Sequence, residues 1–255
     1  PRARSELAWM EEVSLRTGRP VTFNLTHTFE HPEHHRLVVE LATAANSRGA
    51  MIRPQTTTRG IGVLFSLASA TPFDRHPSWR ALRDVPAADR LTRLAEGAGI
   101  VNWPILNQSL AAVAEMLAED VVVLGLADGG AHVGQILDAS QPTWFLTYWV
   151  REREVLSRER AVQRLTSDGA SLFGLTGRGT IEPGSVADVN LIEWDRLALP
   201  LPTFEHDLPQ GAGRFVQRAD GYVATVVRGE VLMESGQHTG AFPGRVLRSG
   251  VASGS

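Results

Sequence analysis

Val121-Val122-Val123-Leu124-Gly125-Leu126-Ala127-Asp128-Gly129-Gly130 is the stretch whose reading decides the fold. Its continuous β-branched run suits a strand covered on both faces, which is the habit of parallel sheets. The Asp-Gly-Gly that follows reads as a turn leaving the C-terminal end of that strand. The same pattern runs upstream. Leu7, Trp9, Met10, Val13 and Leu15 form a helical apolar face that stops at Gly18-Arg19-Pro20. Residues 21–26 read as a short buried strand, residues 32–49 as a helix, and Ala50-Met51-Ile52-Arg53-Pro54 as a second strand. Strands alternating with helices imply parallel pairing.

Residues 60–105 hold Pro72, Pro77, Pro86 and Pro104 with Phe65, Phe73 and Trp79 between them, and are expected to be a long excursion with short helices, a lid over the strand ends. Helices are expected at 111–117, 142–150 and 157–173, the last ended by Gly174. After Gly177 the texture changes to short strands with Gly and Pro turns. Residues 186–192 read as a strand, and 222–227 and 230–233 as a hairpin turning at Arg228-Gly229. The expected organisation is an α/β part over 1–176, a small β module over 177–248 and a loose tail over 249–255.

With 43% hydrophobic residues, the 255-residue chain has enough apolar material for a sizeable core. A formal net charge of −3 gives no basic surface for nucleic acid. The absence of Cys restricts metal ligands to His and carboxylates and agrees with a cytoplasmic location. No apolar window is long enough for a membrane span. Pro1-Arg2-Ala3-Arg4 shows no initiator Met and no signal-type apolar stretch follows, so the chain is expected to start within a longer protein.

Three stretches together resemble one family. They are Gly125-Leu126-Ala127-Asp128-Gly129-Gly130-Ala131-His132-Val133; Leu165-Thr166-Ser167-Asp168 with Pro183-Gly184-Ser185-Val186-Ala187-Asp188; and Gly221-Tyr222 through Val226-Val227-Arg228-Gly229-Glu230 to Pro243-Gly244-Arg245. They resemble the C-terminal half of the amidohydrolase superfamily, most closely its N-acyl-D-amino-acid deacylase branch. Residues 7–23 resemble the middle of that branch. The resemblance implies an α/β fold: the C-terminal half of a (β/α)8 barrel with an appended β-sandwich module. A whole barrel takes about 250 residues, so too few remain here for eight strand–helix units. The family's first ligands, a His-x-His pair, have no counterpart in this sequence. His31, His34 and His35 are spaced differently and read as solvated loop and helix-start residues.

The resemblance also implies residue roles. Asp128, after the last strand, would bind metal or take a proton from the attacking water. His27, after the first strand here, would be a metal ligand. His132 would touch substrate. Arg53 and Arg59 are candidates to grip a substrate carboxylate, for which the Arg fork is well shaped. The branch carries a His-Pro-Arg element soon after the Asp. Here Ser140-Gln141-Pro142-Thr143 stands in its place, which leaves the substrate's carboxylate partner open. Asp188 is expected to serve a turn or strand end, and the Trp144, Phe145, Tyr148 and Trp149 patch to pack. The expected activity is zinc-dependent hydrolysis, with one or two divalent ions, of a non-peptide C–N bond in a small amide such as an N-acyl amino acid. The alternatives are a cyclic-amide hydrolase of the hydantoinase or dihydroorotase kind and a non-catalytic scaffold. By itself the chain is expected to be inactive and to hold zinc weakly. Exposed strand edges of a half barrel open a route to homo-oligomers.

Overall fold

Helix, strand, helix, strand is how the chain begins in the computed structural model, which describes residues 2–65, 101–125, 130 and 133–247. Helix α1 (Arg2–Thr17) ends at Gly18, whose φ of +63° suits a residue without Cβ. Strand β1 (Val21–Asn24), helix α2 (His34–Ser47) and strand β2 (Ile52–Thr56) follow. The second strand starts two residues later than its apolar run suggests, because side chains hold the segment before it. Met51 N–H donates to Ser14 Oγ (2.8 Å), and the Asn46 amide brackets Ile52 with bonds of 2.7 and 2.9 Å.

Next come β3 (Ile61–Phe65) and β4 (Val101–Leu106), paired antiparallel as a two-stranded sheet. The described ends of the 60–105 excursion are thus strands, where short helices were expected; Pro72, Phe73, Pro77, Trp79 and Pro86 lie outside the described residues. Helix α3 (Leu110–Ala118) begins at Ser109, whose Oγ accepts Ala112 N–H. Strand β5 (Val123–Leu124) completes a parallel sheet in the order β1-β2-β5.

Among the described residues of the expected 121–126 strand, Val123 and Leu124 pair with β2 while Val121 and Val122 do not. The reason lies in a buried arginine: Arg164 donates to the carbonyls of Val122 (3.0 Å) and Glu119 (2.7 Å), so Val122 spends its acceptor on a side chain. Arg164 belongs to α5 (Arg158–Leu165), which follows α4 (Gln141–Trp144) and a π-helix (Phe145–Glu152). The single helix expected over 157–173 is two, α5 and α6 (Ser167–Leu172). Thr166 at the break has φ −126° and ψ −87°, and its hydroxyl donates back to Val162 O (2.7 Å).

One face of the parallel sheet carries the core. Leu25 and Ile52 meet Val38, Ala42 and Ala45 of α2 and Val113, Met116 and Leu117 of α3, joined by Phe145 and Trp149. Each fully buried large side chain there contributes about 1.5–3 kcal/mol. The aromatic patch packs as expected: Trp144 stacks on Tyr148 at 4.6 Å. Trp149 buries its ring and donates Nε1–H to Thr58 O (2.5 Å). The alternate residues of β1 and β2 (Thr22, Asn24, Arg53, Gln55) turn to the opposite, polar face, where Gln55 Nε2 donates to Thr22 Oγ1.

Beyond residue 177 the described structure is strands and short 3-10 turns. Strand β6 (Val189–Ile192) falls within the expected 186–192 run. Strands β7 (Thr203–Glu205) and β8 (Arg214–Val216) form a hairpin that the sequence did not suggest. Strands β9 (Tyr222–Val227), β10 (Glu230–Glu234) and β11 (Gln237–His238) join β6 in an antiparallel sheet ordered β11-β10-β9-β6. Arg228 and Gly229 both have positive φ (52° and 83°), as the expected tight turn requires. Asp188 serves a strand end: its carboxylate accepts Arg228 N–H (2.9 Å) and pairs with Arg178. The expected tail over 249–255 lies outside the described residues. Among the described residues no helix is long and apolar enough to cross a membrane.

Gly221 combines a φ of +89° with backbone so close that an added Cβ would lie 2.6 Å from Leu197 Cα. Gly221→Ala is therefore expected to lower the denaturation midpoint by the equivalent of about 2–3 kcal/mol. Gly236→Ala has positive φ but open space around it, and should cost only about 1 kcal/mol. Equal losses in chemical denaturation would contradict this account.

Candidate metal and catalytic site

Parallel strands gather their C-terminal ends on one edge, where the chain emerges as loops. Here that edge is made by residues 25–27 after β1, Thr56-Thr57-Thr58 at the end of β2, and Gly125 after β5. Gly125 N–H donates to Thr56 O (3.1 Å) and Leu25 N–H to Gln55 O (2.7 Å).

A single buried amide holds the edge together. Asn107, just past β4, accepts His27 N–H at Oδ1 (2.8 Å) and donates its own N–H to His27 O (2.8 Å). Its Nδ2 donates to Thr57 Oγ1 (2.7 Å) and Thr56 Oγ1 (3.3 Å). Its φ of +52° is one that Asn tolerates better than most residues.

His27 is thereby fixed three residues beyond β1. It is buried, and its Nδ1 has no hydrogen-bond partner. Burial holds its pKa below the ordinary histidine value, with the nearby His35 adding to the effect, so the ring is neutral at pH 7. A neutral imidazole with a bare nitrogen is what a metal ligand must be. His35 lies in the first turn of α2, its ring centre 5.6 Å from that of His27 in an edge-on arrangement. Its Nε2 is 3.0 Å from Glu115 Oε2 of α3. Glu115 also accepts two bonds of 2.7 Å from Arg36, and the Arg36 guanidinium and then His35 hold its carboxyl down at about 2.

His35 is 2% exposed, where the sequence suggested a solvated residue. The reason is tertiary: α3, some 80 residues away, packs on α2 and supplies the carboxylate. The sequence held one signal, an apolar spacing that sets His35 on the same side of α2 as Val38 and Ala42. Asn107 gave no motif at all.

Arg59 stands just past β2. Its guanidinium donates to Leu137 O and Ser140 Oγ (3.1 Å) and lies 3.7 Å from Asp138 Oδ1. It ties the 137–140 loop to the sheet edge. Arg53 sits elsewhere. It is the second residue of β2, not its last, and lines a hollow of about 690 Å³ with Arg19, Asp120, Arg160 and Asp168 at the opposite end of the sheet. The structure does not bring it near His27. Ser140-Gln141-Pro142-Thr143 is built into the frame, with Thr58 N–H donating to Gln141 Oε1 (3.0 Å) and Pro142 in the first turn of α4. Asp128 and His132 lie outside the described residues; β5 ends four residues before Asp128 in the chain. Among the described residues no group of three His, Cys, Asp or Glu side chains is arranged to hold a metal.

Comparison with known proteins adds an outline. The sequence profile of the amidohydrolase family matches residues 80–233. An uncharacterized protein of Mycobacterium tuberculosis is 34% identical over 156 residues, which are 53% of this chain and 25% of that protein. An N-acyl-D-glutamate deacylase of Alcaligenes xylosoxydans xylosoxydans is 36% identical over 84 residues, 29% of this chain and 17% of that protein. Among solved structures, a D-aminoacylase described as having a binuclear metal center superposes with a TM-score of 0.63 at 17% identity, covering 92% of this chain and 51% of the other. The N-acyl-D-glutamate deacylase of Bordetella bronchiseptica, complexed with zinc and a phosphonate inhibitor, gives 0.59 at 18%, covering 90% and 50%. A D-hydantoinase from Thermus sp. gives 0.52 at 18%, covering 93% and 50%. The chain spans about half the length of these solved structures and a quarter or less of the curated relatives.

Removing the Asn107 amide strands the buried His27 N–H and loosens two threonines. Asn107→Ala is expected to cost about 2–4 kcal/mol in denaturant unfolding. It should also raise amide exchange at His27. Wild-type stability in that variant would show that the clamp is dispensable.

Proposed function

Since this chain belongs to the amidohydrolase family, we propose that it is a metal-dependent hydrolase of a non-peptide C–N bond, acting on a small amide of the N-acyl amino acid kind. The observation that carries the reading is the buried, neutral His27, with a bare Nδ1, on the sheet edge to which the strand before Asp128 also leads. The residues present fit a metal: a neutral imidazole and a carboxylate are both suitable zinc ligands, and the chain offers no thiolate. His27 and Asp128 would hold it, and the zinc of the Bordetella relative makes zinc the natural candidate. When bound, the metal would lower the pKa of water and polarise the scissile carbonyl.

The chain's own groups do the rest. Asp128 takes a proton from the attacking water and returns it to the departing amine, as the C–O bond forms and the C–N bond breaks. Of the two arginines, Arg59 is the better supported partner for a substrate carboxylate, since it stands past the C-terminal end of β2 whereas Arg53 is near its start. His132, four residues beyond Asp128 in sequence, is proposed to contact the substrate on the same side. We place the chain within a longer, barrel-type enzyme that supplies further ligands from outside these 255 residues.

The test is an assay of the longer protein on N-acetyl-D-amino acids and on hydantoin, with zinc added and with zinc chelated. Metal-dependent release of the free amino acid is expected, and Asp128→Asn should abolish it while the fold stays intact. Turnover of hydantoin alone would move the substrate to cyclic amides. A variant within tenfold of wild type would remove Asp128 from the chemistry, and absence of turnover and of bound metal would leave a scaffold.

A further inference from the structure

Two unpartnered nitrogens lie in one buried cluster. Nδ1 of His27 and Nδ1 of His35 both lack hydrogen-bond partners, on residues only 4% and 2% exposed. The rings face each other edge-on, 5.6 Å between centres and 73° between planes, yet they do not bond to one another. Buried polar atoms are nearly always satisfied, so two such atoms in adjoining rings call for a common occupant.

The chemistry of the cluster says what kind. Glu115 is an anion and can only accept, so His35 donates Nε2–H to it, and Nδ1 is the ring atom left open to a ligand. An imidazole that gives its other N–H to a carboxylate is the arrangement that fixes and strengthens metal-ligating histidines. Glu33 and Glu115 against the single Arg36 leave the cluster with a formal charge of −1, which favours a cation over a neutral guest. The spacing agrees: two imidazoles on one zinc, each with its nitrogen about 2.1 Å away, put their ring centres about 5–6 Å apart.

We infer that His27 and His35 together form a two-imidazole site for a divalent cation of the zinc type, with Glu115 as the carboxylate that orients His35. The inference deepens the proposed function, on which it rests, by naming a second protein donor beside His27. It gives a role to a histidine at a helix start that no spacing motif marks.

The experiment uses the uniformly 15N-labelled chain, stripped of metal by chelation and titrated with zinc chloride alone. Long-range imidazole spectra report each ring nitrogen. Stoichiometric zinc should shift Nδ1 of both His27 and His35. His27→Asn and His35→Asn should each weaken zinc binding at least tenfold. Glu115→Gln, which keeps the size of the side chain and spares both imidazoles, should weaken it about 10–100-fold. Should either Asn variant fail to fold by circular dichroism, the wild-type spectra and Glu115→Gln decide. Shifts confined to the exposed His31 and His34, no shift at either buried Nδ1, or wild-type affinity in a folded His35→Asn would each overturn the site. Zinc held by both histidines without amide turnover in the longer protein would count against the hydrolase reading alone.

Discussion

A short parallel sheet has few main-chain bonds to spare at its ends, and here the deficit is met by one side chain. Asn107 accepts from His27, is tied back to the His27 carbonyl, and donates to two threonines, so the ends of β1 and β2 are locked to the end of β4. The bond pattern uses the carbonyl and both protons of the amide, which is its full donor complement. Everything placed on that edge inherits its rigidity: the bare nitrogen of His27, the Thr57–Arg59 turn, and the entry into the 137–141 segment through Arg59 and Gln141. A preorganised edge is worth more to a catalyst than a stable one, because groups held in place need not be ordered during reaction.

The elements that rest on local chemistry were legible in the sequence. The stop of α1 at Gly18, the alternation of helix and strand to residue 56, the Arg228-Gly229 turn and the change of texture after residue 177 all depend on neighbouring residues. What was not legible depends on distant ones. Strand β5 is cut short by a guanidinium 40 residues downstream. Pairing of β3 with β4 joins segments 35 residues apart, one of them carrying a proline. His35 reads as a surface residue until α3 covers it and offers Glu115. His27 could be proposed from its place after a strand, but the clamp that fixes it and the histidine beside it could not. Position after a strand is a one-dimensional signal, whereas a cluster is drawn from three separate elements.

The β-rich part of the chain is more than an appendage to the helices. Phe215 N–H donates to Val133 O (3.0 Å), and Gln217 accepts from Ser140 Oγ (2.6 Å) while donating to Pro200 O (2.7 Å). Leu64 N–H donates to Gln135 O from the other side (2.6 Å). The segment that follows His132 in the chain is thus gripped by β3, by the β7–β8 hairpin and by Arg59. A change in that hairpin would be felt at the sheet edge.

The π-helix at Phe145–Glu152 packs its eight residues with hydrogen bonds that reach one position further than those of an α-helix. Such a segment tolerates length polymorphism in one direction. Loss of one residue lets the coil tighten to ordinary α geometry between the same ends, so the chain can absorb a codon deletion there without a broken helix. The cost is rotational. Within the tightened coil each side chain takes a new angular place about the axis, which carries the indole of Trp149 away from the Thr58 carbonyl and uncouples the helix layer from the end of β2.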